Sequence, residues 1–269
     1  MIRATLNKLR IYKELPMLEL QDCNATQQFT NQLIAPVVYQ TWEDRFVGKT
    51  HFKEIELFRA LNPDLDFKLF DRKQREYYMR EYWGEHPIYA IFTESQFGPM
   101  KADIFRYCLL FERGGFYFDI SKGCSIPLGS LLKPSSRALI SFESHDCVIP
   151  PSPILSNRLQ HAEKQVLQWG MGFEKDHPIL RRMIENICLH YPLFKGKTFE
   201  NPKNAILRFT GPGMFTKTVR EYFDGQEDES VAQAGVDFMG AGIFALKGSW
   251  ARYSKAPSYV NSSNQPIVL

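Results

Sequence analysis

An α/β fold, with a mostly parallel sheet flanked by helices, is predicted for this 269-residue chain by three observations. Between Val37 and Phe118 short apolar runs alternate with helical patterns, giving the order strand, helix, strand, helix, strand that right-handed crossovers build. The first run, Val37-Val38-Tyr39, has the unbroken apolar character of a strand buried on both faces. The string KADIFRYCLLFERGGFYFDISKGC, Lys101 to Cys124, then joins a helix to a strand through paired glycines.

Taken in order, residues 1–35 read as an N-terminal helical or loop extension. Its first part, MIRATLNKLRIYKELPMLEL, is amphipathic in places and broken by charge and by Pro16, and QDCNATQQFTNQ reads as a loop. Pro36 introduces the first strand. From Thr50 to Leu61 apolar residues recur at Phe52, Ile55, Phe58 and Leu61, a helical face ended by Asn62-Pro63. Phe67 to Phe70 is the second strand, and Asp71 caps a charged, tyrosine-rich helix running to about Trp83. The apolar segment His86 to Phe97 fits either type. Pro99 suits the first turn of the next helix, where its missing N–H costs nothing. Beyond Asp119, Ala138 to Phe142 reads as a strand and CVIPPSPILS as a proline-rich loop. Asn157 to Trp169 reads as a helix, with a strand-rich reading of Val166 to Phe173 beside it. His177-Pro178 opens a helix to Cys188, Gly213 to Tyr222 forms another, and the acidic stretch Asp224 to Ser230 is a solvated loop. Residues 257–269 are expected to be a loose tail.

Composition narrows the function classes. Hydrophobic content of 44% with 23% charged residues is that of an ordinary globular domain. A net charge of +3 with no basic run excludes nucleic acid as the partner. The five cysteines form no C-x-x-C pair and no metal-ligand spacing, as expected of reduced thiols in a cytosolic protein. No apolar run reaches 18 residues, and the N-terminus lacks the apolar core of a signal peptide.

The chemistry concentrates in Lys101 to Cys124. Asp103 and Arg106, three apart on a helix, share a face. Gly114-Gly115 stops that helix, since glycine accepts a left-handed cap. Phe116-Tyr117-Phe118 is strand-like, and Asp119 falls where the strand runs out, at the edge where α/β proteins place ligands. An acid, a guanidinium and a second acid beside a tyrosine suit a polyol carrying a phosphate. Taken singly, each feature has a plainer reading: a surface ion pair worth a few tenths of a kcal/mol for Asp103 and Arg106, a turn cap for Asp119.

The whole string resembles the glycosyltransferases of family 32, which carry an Asp-x-Asp sugar-binding motif and include yeast-type α-1,6-mannosyltransferases and bacterial capsule and lipopolysaccharide enzymes. The matching stretches are KADIFRY, Lys101 to Tyr107, and GGFYFD, Gly114 to Asp119, flanked by VVYQTW, NPDLDFKLFD, TGPGMFT and the late Gly248-Ser249-Trp250. Their order agrees over Pro36 to Tyr253, so residues 36–256 are expected to form one glycosyltransferase domain. The resemblance implies a GT-A type nucleotide-diphospho-sugar transferase fold with a Rossmann-like sheet. It also implies retaining transfer of a hexose from a nucleotide-diphosphate sugar to a polysaccharide or glycolipid of the cell surface, such as capsule or lipopolysaccharide. In that reading Asp103, Arg106 and Asp119 are catalytic. Gln40, Thr41, Trp42, Tyr117, Ser121, Ser249 and Trp250 bind the donor, and Asp119 holds Mn²⁺ or Mg²⁺. Two positions depart from the family pattern: Ser121 replaces the second Asp of Asp-x-Asp, and Ile243-Phe244-Ala245-Leu246 replaces a segment that often holds a histidine. Serine brings no negative charge to a hard cation. Three readings follow: a metal held by Asp119 and the donor, a metal-independent enzyme, or a non-catalytic sugar-nucleotide-binding scaffold. Yeast-type members have a membrane anchor, so its absence points to a cytoplasmic enzyme peripheral to the inner face of the membrane, or to a chain whose anchor has been removed.

Overall fold

The structure is a computed structural model that describes residues 12–31, 33–254 and 262–269. Seven strands form the central sheet: β1 (Val37–Thr41), β2 (Asp66–Phe70), β3 (Gly115–Phe118), β4 (Ala138–Asp146), β5 (Lys164–Val166), β6 (Gly170–Phe173) and β7 (Val231–Val236). Across the sheet the order is β7-β4-β6-β3-β1-β2, with β5 paired to the last part of β4. The pairs β1–β2, β1–β3 and β4–β7 are parallel, whereas β6 is antiparallel to both β3 and β4. One reversed strand therefore keeps β3 and β4 pointing the same way. The C-terminal ends of β1, β2, β3, β4 and β7 meet along one edge, and the residues of interest lie there.

The helices are α1 (Lys49–Ala60), α2 (Arg72–Trp83), α3 (Pro87–Glu94), α4 (Gly98–Arg113), α5 (Pro153–Arg158), α6 (Pro178–His190), α7 (Pro202–Phe209) and α8 (Pro212–Gly225). Asp71 closes a reciprocal capping box on α2: its carboxylate accepts from Gln74 N at 2.9 Å, and the Gln74 side chain accepts from Asp71 N at 3.0 Å. The open segment after His86 is helix α3, started by His86 and Pro87. In α4, Pro99 occupies the first turn, and the helix ends at Gly114 with φ +66°. Gly115 follows at φ +105°, and a Cβ there would stand 2.9 Å from Val37 Cγ1 and from its carbonyl oxygen. Glycine alone satisfies both conditions.

Strand alternation divides the core into two layers. Val37, Tyr39 and Tyr117 face α4, α6, α7 and α8, where Ile104, Phe105, Leu109, Ile184, Phe209 and Phe215 are buried. Val38, Phe116 and Phe118 face the other way, against Phe58, Phe67, Trp169 and Phe238. Both faces of the sheet are thus covered, as a largely parallel sheet requires.

Several expectations change. The helix read over Asn157 to Trp169 is instead the short α5 followed by β5 and β6. The reason is steric: Gly170 and Gly172 lie against Phe118 and Phe116, and a Cβ on Gly172 would be 2.6 Å from the Phe116 ring, so this glycine–aromatic fit belongs to a strand pair. Strand β4 runs four residues past Phe142, because β5 pairs with its extension. Strand β7 carries too little apolar pattern to be read from sequence. Residues 262–269 are not loose: Ile267 and Val268 are fully buried, and Gln265–Pro266 pairs with Thr198–Phe199. Residues 255–261, with the first part of the expected tail, lie outside the described residues, as does the amphipathic stretch 1–11. Residues 12–31 pack into the domain: Leu18–Glu19 pairs with Phe46–Val47, and Cys23 bridges Phe67 on the outer edge of β2. Among the described residues no helix is long and apolar enough to cross a membrane.

Candidate active site

Helix α4 and strand β3 bring Asp103, Arg106, Tyr117 and Asp119 into one network. Arg106 donates from Nη1 to the Gln168 carbonyl at 3.1 Å and from Nη2 to Asp119 Oδ1 at 3.0 Å, and Nη2 lies 3.2 Å from Asp103 Oδ1. Its guanidinium carbon stands 4.5 Å from the centre of the Tyr117 ring, a cation–π contact made inside the protein. The Tyr117 hydroxyl donates to Asp119 Oδ1 at 3.0 Å. Asp103 accepts from Gln168 Nε2 at 3.1 Å on Oδ1 and from the Thr210 hydroxyl at 3.0 Å on Oδ2. Asp103 and Arg106 are buried, so the surface-pair reading does not hold; their coupling operates away from solvent screening.

One guanidinium here faces two carboxylates. Burial raises the Asp103 pKa to about 7, against the pull of Arg106 and with the push of Asp119. Burial also works against the charge of Arg106, but Asp119, Tyr117 and Asp103 outweigh it and hold the guanidinium protonated. Tyr117 is held as the neutral phenol, by burial first and by Asp119 next. Both Asp103 oxygens are engaged by protein donors. It stands behind Arg106, buried against the helix that carries both. Asp119 differs: its side chain is one-third exposed, and among the described residues its side-chain hydrogen bonds fall on Oδ1.

The turn after β3 is joined to the late loop. Leu246 N donates to the Ser121 carbonyl at 2.8 Å, Gly123–Cys124 pairs antiparallel with Gly242–Ile243, and Lys122 Nζ donates to the Phe244 carbonyl at 2.6 Å. Gly248 has φ +74°, and a Cβ there would be 2.8 Å from His51 N. His51 Nε2 in turn lies 2.8 Å from the Ile120 carbonyl. Ser249 is buried on this loop and Trp250 is partly exposed. Trp42 packs against the apolar cluster that contains Ile120 and Leu246. Ser121 thus stands two residues after Asp119 on a turn bonded to the loop that leads to Ser249 and Trp250, and Trp42 packs on the same apolar cluster. The other two candidates, Gln40 and Thr41, close the C-terminal end of β1. Gln40 is enclosed in β1 with its Nε2 unpartnered, and the Thr41 hydroxyl is engaged by the Phe70 carbonyl and Arg75.

Three residues that sequence reasoning missed complete the site. Gln168 bridges Asp103 and the Tyr107 hydroxyl, while its carbonyl takes Arg106. The Trp169 carbonyl accepts from Asp119 N at 2.8 Å, fixing the direction of the chain after β3. Lys122 lies between the turn and the late loop. The alternating glycines of Trp169-Gly170-Met171-Gly172 were the one signal in the sequence that a strand packs here against large rings.

A divalent cation asks for several hard oxygen ligands and, in total, enough negative charge to offset its own. Asp119 offers one carboxylate, with Oδ1 already taken by Arg106 and Tyr117. Ser121 is neutral and buried, and Phe244-Ala245 supplies no imidazole. No group of three or more His, Cys, Asp or Glu able to hold a metal exists among the described residues. This donor set does not fit a resident Mn²⁺ or Mg²⁺.

Residues 48–138 match the family described as "glycosyltransferase sugar-binding region containing DXD motif". The chain is 28% identical over 208 residues to the initiation-specific α-1,6-mannosyltransferase of Candida albicans, covering 70% of this chain and 52% of that protein. It is 26% identical over 200 residues to inositol phosphoceramide mannosyltransferase 3 of Schizosaccharomyces pombe, covering 73% of this chain and 48% of that one. The chain therefore spans about half the length of the curated relatives it matches. Among solved structures it is similar to the PaToxG glycosyltransferase, with a TM-score of 0.52 at 14% identity over 83% of this chain and 78% of the other. That likeness shows the fold, a GT-A-like α/β architecture.

Proposed function

We propose that this chain is a glycosyltransferase of the DXD, family-32 type, moving a hexose from a nucleotide-diphosphate sugar to a glycan or glycolipid acceptor with retention of anomeric configuration. The match of residues 48–138 to the DXD sugar-binding region supports this reading. The observation that carries this reading is the Arg106–Asp119–Tyr117 network at the C-terminal edge of the sheet, with the Gly248–Trp250 loop joined to the same turn. Asp119 has a carboxylate side open to sugar or ribose hydroxyls, which a carboxylate accepts well. Arg106 fixes that carboxylate and is itself fixed by Asp103, so the acceptor geometry is set before ligand arrives. In the retaining reading the acceptor hydroxyl enters on the face the diphosphate leaves, and the departing phosphate oxygen takes its proton.

Mannose is the first sugar to test, because the similar curated proteins are named mannosyltransferases. Those proteins come from yeasts, so the acceptor is proposed as a glycan or glycolipid with no narrower commitment to capsule or lipopolysaccharide. Action at the inner face of a membrane belongs to the same proposal. The test is release of nucleoside diphosphate from GDP-mannose, UDP-glucose, UDP-galactose and UDP-N-acetylglucosamine by purified protein. Turnover of one donor, lost in Asp119→Ala, is expected. Silence across the panel, with no nucleotide binding by calorimetry, would instead support a non-catalytic protein.

A further inference from the structure

Helix α2 carries tyrosines that the transfer reading leaves unused. Its sequence places Lys73 and Tyr77 on one row and Gln74, Tyr78 and Tyr82 on the next, at helical spacings of four. With Phe70 and Arg113 they line a groove of about 420 Å³, within the size range of ligand sites. The groove begins at the C-terminal end of β2 and reaches the last turn of α4. Arg113 stands seven residues after Arg106 on α4, roughly 10 Å along that helix. The groove therefore shares no residue with the Asp119 network.

We infer that this groove is a second saccharide site, holding a stretch of glycan chain on tyrosine rings away from the place of transfer. Tyr77 and Tyr82 are 56% and 55% exposed, so two large rings on a folded helix are presented to solvent. Their orientation is set before any ligand arrives. Tyr82 stacks on Tyr78 with ring centres 4.8 Å apart and planes 27° from parallel. The Arg113 guanidinium stands 4.9 Å from the Tyr78 ring centre and 5.0 Å from that of Tyr82. Glu112 Oε2 ties this group together, accepting from the Tyr78 hydroxyl and from Arg113 Nε, each at 2.9 Å. Arg80 stands 5.3 Å from the Tyr77 ring centre. Rings held in this way lose little further freedom when a ligand binds.

The chemistry of the groove selects a saccharide. A pyranose presents a face of C–H groups to the negative face of an aromatic ring, and a rim of hydroxyl oxygens to hydrogen-bond donors. Both are met here. Lys73 is exposed at the groove, and the Gln74 side-chain oxygen is taken by Asp71 N at 3.0 Å, which leaves the amide NH₂ as the group to meet a ligand. Arg113 is committed to Glu112, so it belongs to the platform and is no clamp for an anion. A purely apolar partner would strip water from the Lys73 ammonium and the tyrosine hydroxyls and return no hydrogen bond. This second site goes beyond the transfer reading and does not require it.

The experiment is calorimetric titration of mannohexaose, maltohexaose and cellohexaose into the unaltered protein, Asp119→Ala and the double variant Tyr77→Ala/Tyr82→Ala. At least one chain is expected to bind the unaltered protein and Asp119→Ala with equal affinity. The double variant is expected to weaken that binding tenfold or more, while Tyr82→Phe, which keeps the ring, retains most of it. Tyr77→Ala alone, which leaves the Tyr78–Tyr82 stack intact, should weaken it in the same direction and guards against a folding defect. Binding that Asp119→Ala abolishes, or that the tyrosine variants leave unchanged, overturns the inference by placing the chain elsewhere. Absence of binding by all three chains overturns it too, and leaves the transfer reading to its own donor panel. A change of oligomeric state in the tyrosine variants by light scattering, with no chain bound, overturns it in favour of a contact between copies.

Discussion

Asp103 is a carboxylic acid enclosed by donors, from Gln168, Thr210 and Arg106, with no solvent to share. Its pKa lies at about 7 in the folded chain, against an ordinary 3.8, chiefly because burial penalises the charged form. Between those two values the folded protein retains a proton that the unfolded chain has released. Stability from this group is therefore full below about pH 4 and declines as pH rises through 7, by at most ~1.4 kcal/mol per pH unit. Asp103→Asn removes the titration. Urea midpoints measured at pH 5 and pH 7.5 should fall in the unaltered protein and fall less in the variant; parallel falls would show that Asp103 does not titrate in this interval. The residues of this network were unequally legible. Asp103, Arg106, Tyr117 and Asp119 lie within one helix-to-strand string, so helical spacing and strand end announce them. Gln168 and Thr210 reach Asp103 from 65 and 107 residues away, through contacts that only the assembled sheet creates.

Secondary structure elements were legible where their signals are local. The capping box of Asp71 and Gln74, the proline in the first turn of α4 and the paired glycines at its end each act within a few residues. β5 and β7 were not, because their pairing partners are distant and their own sequences alternate weakly; β6 fell within the strand-rich alternative over Val166 to Phe173, where Gly170 and Gly172 lie against Phe118 and Phe116. The junction between α4 and β3 sets the direction in which Tyr117 and Asp119 leave the sheet, so it couples stability to the site. Gly115→Ala would place a methyl 2.9 Å from Val37 in a left-handed backbone. The strain of that conformation and the clash should together cost about 2–4 kcal/mol. The unfolding free energy by urea titration measures it. Donor turnover should fall with it, because relief of the clash shifts β3 against β1 and moves Asp119 away from Arg106. A change below ~0.5 kcal/mol would mean that the backbone relaxes there freely.

At the scale of the molecule, the reversed β6 lets two parallel units, β2-β1-β3 and β4-β7, share one sheet with a common ligand edge. The chain then returns along the side of the domain, and its last described residues lock elements that are remote in sequence. Gln96 N donates to the Ile267 carbonyl at 3.0 Å, Gly196 N to the Val268 carbonyl at 3.1 Å, and Leu269 N to the Glu94 carbonyl at 3.3 Å. The C-terminal strand is thereby stitched between the end of α3 and the segment after α6. Ile267 and Val268 are fully buried in the layer that also holds Ile104, Phe209 and Phe215. The described part of the tail, residues 262–269, is in fact part of the core, since two apolar side chains suffice to anchor it once both neighbours offer backbone partners. Truncating Ile267 removes three buried carbons from a close-packed layer and leaves a cavity that its surroundings fill only in part. Ile267→Ala should cost about 2–5 kcal/mol, whereas Leu269→Ala, at a side chain 60% exposed, should stay within ~0.5 kcal/mol. Because Ile267 lies far in sequence from Asp119 and its backbone partner is Gln96 at the end of α3, donor affinity per folded molecule should not change. Urea denaturation together with nucleotide titration separates the two effects: equal stabilities for both variants would mean that the strand rests on the surface instead of completing the core.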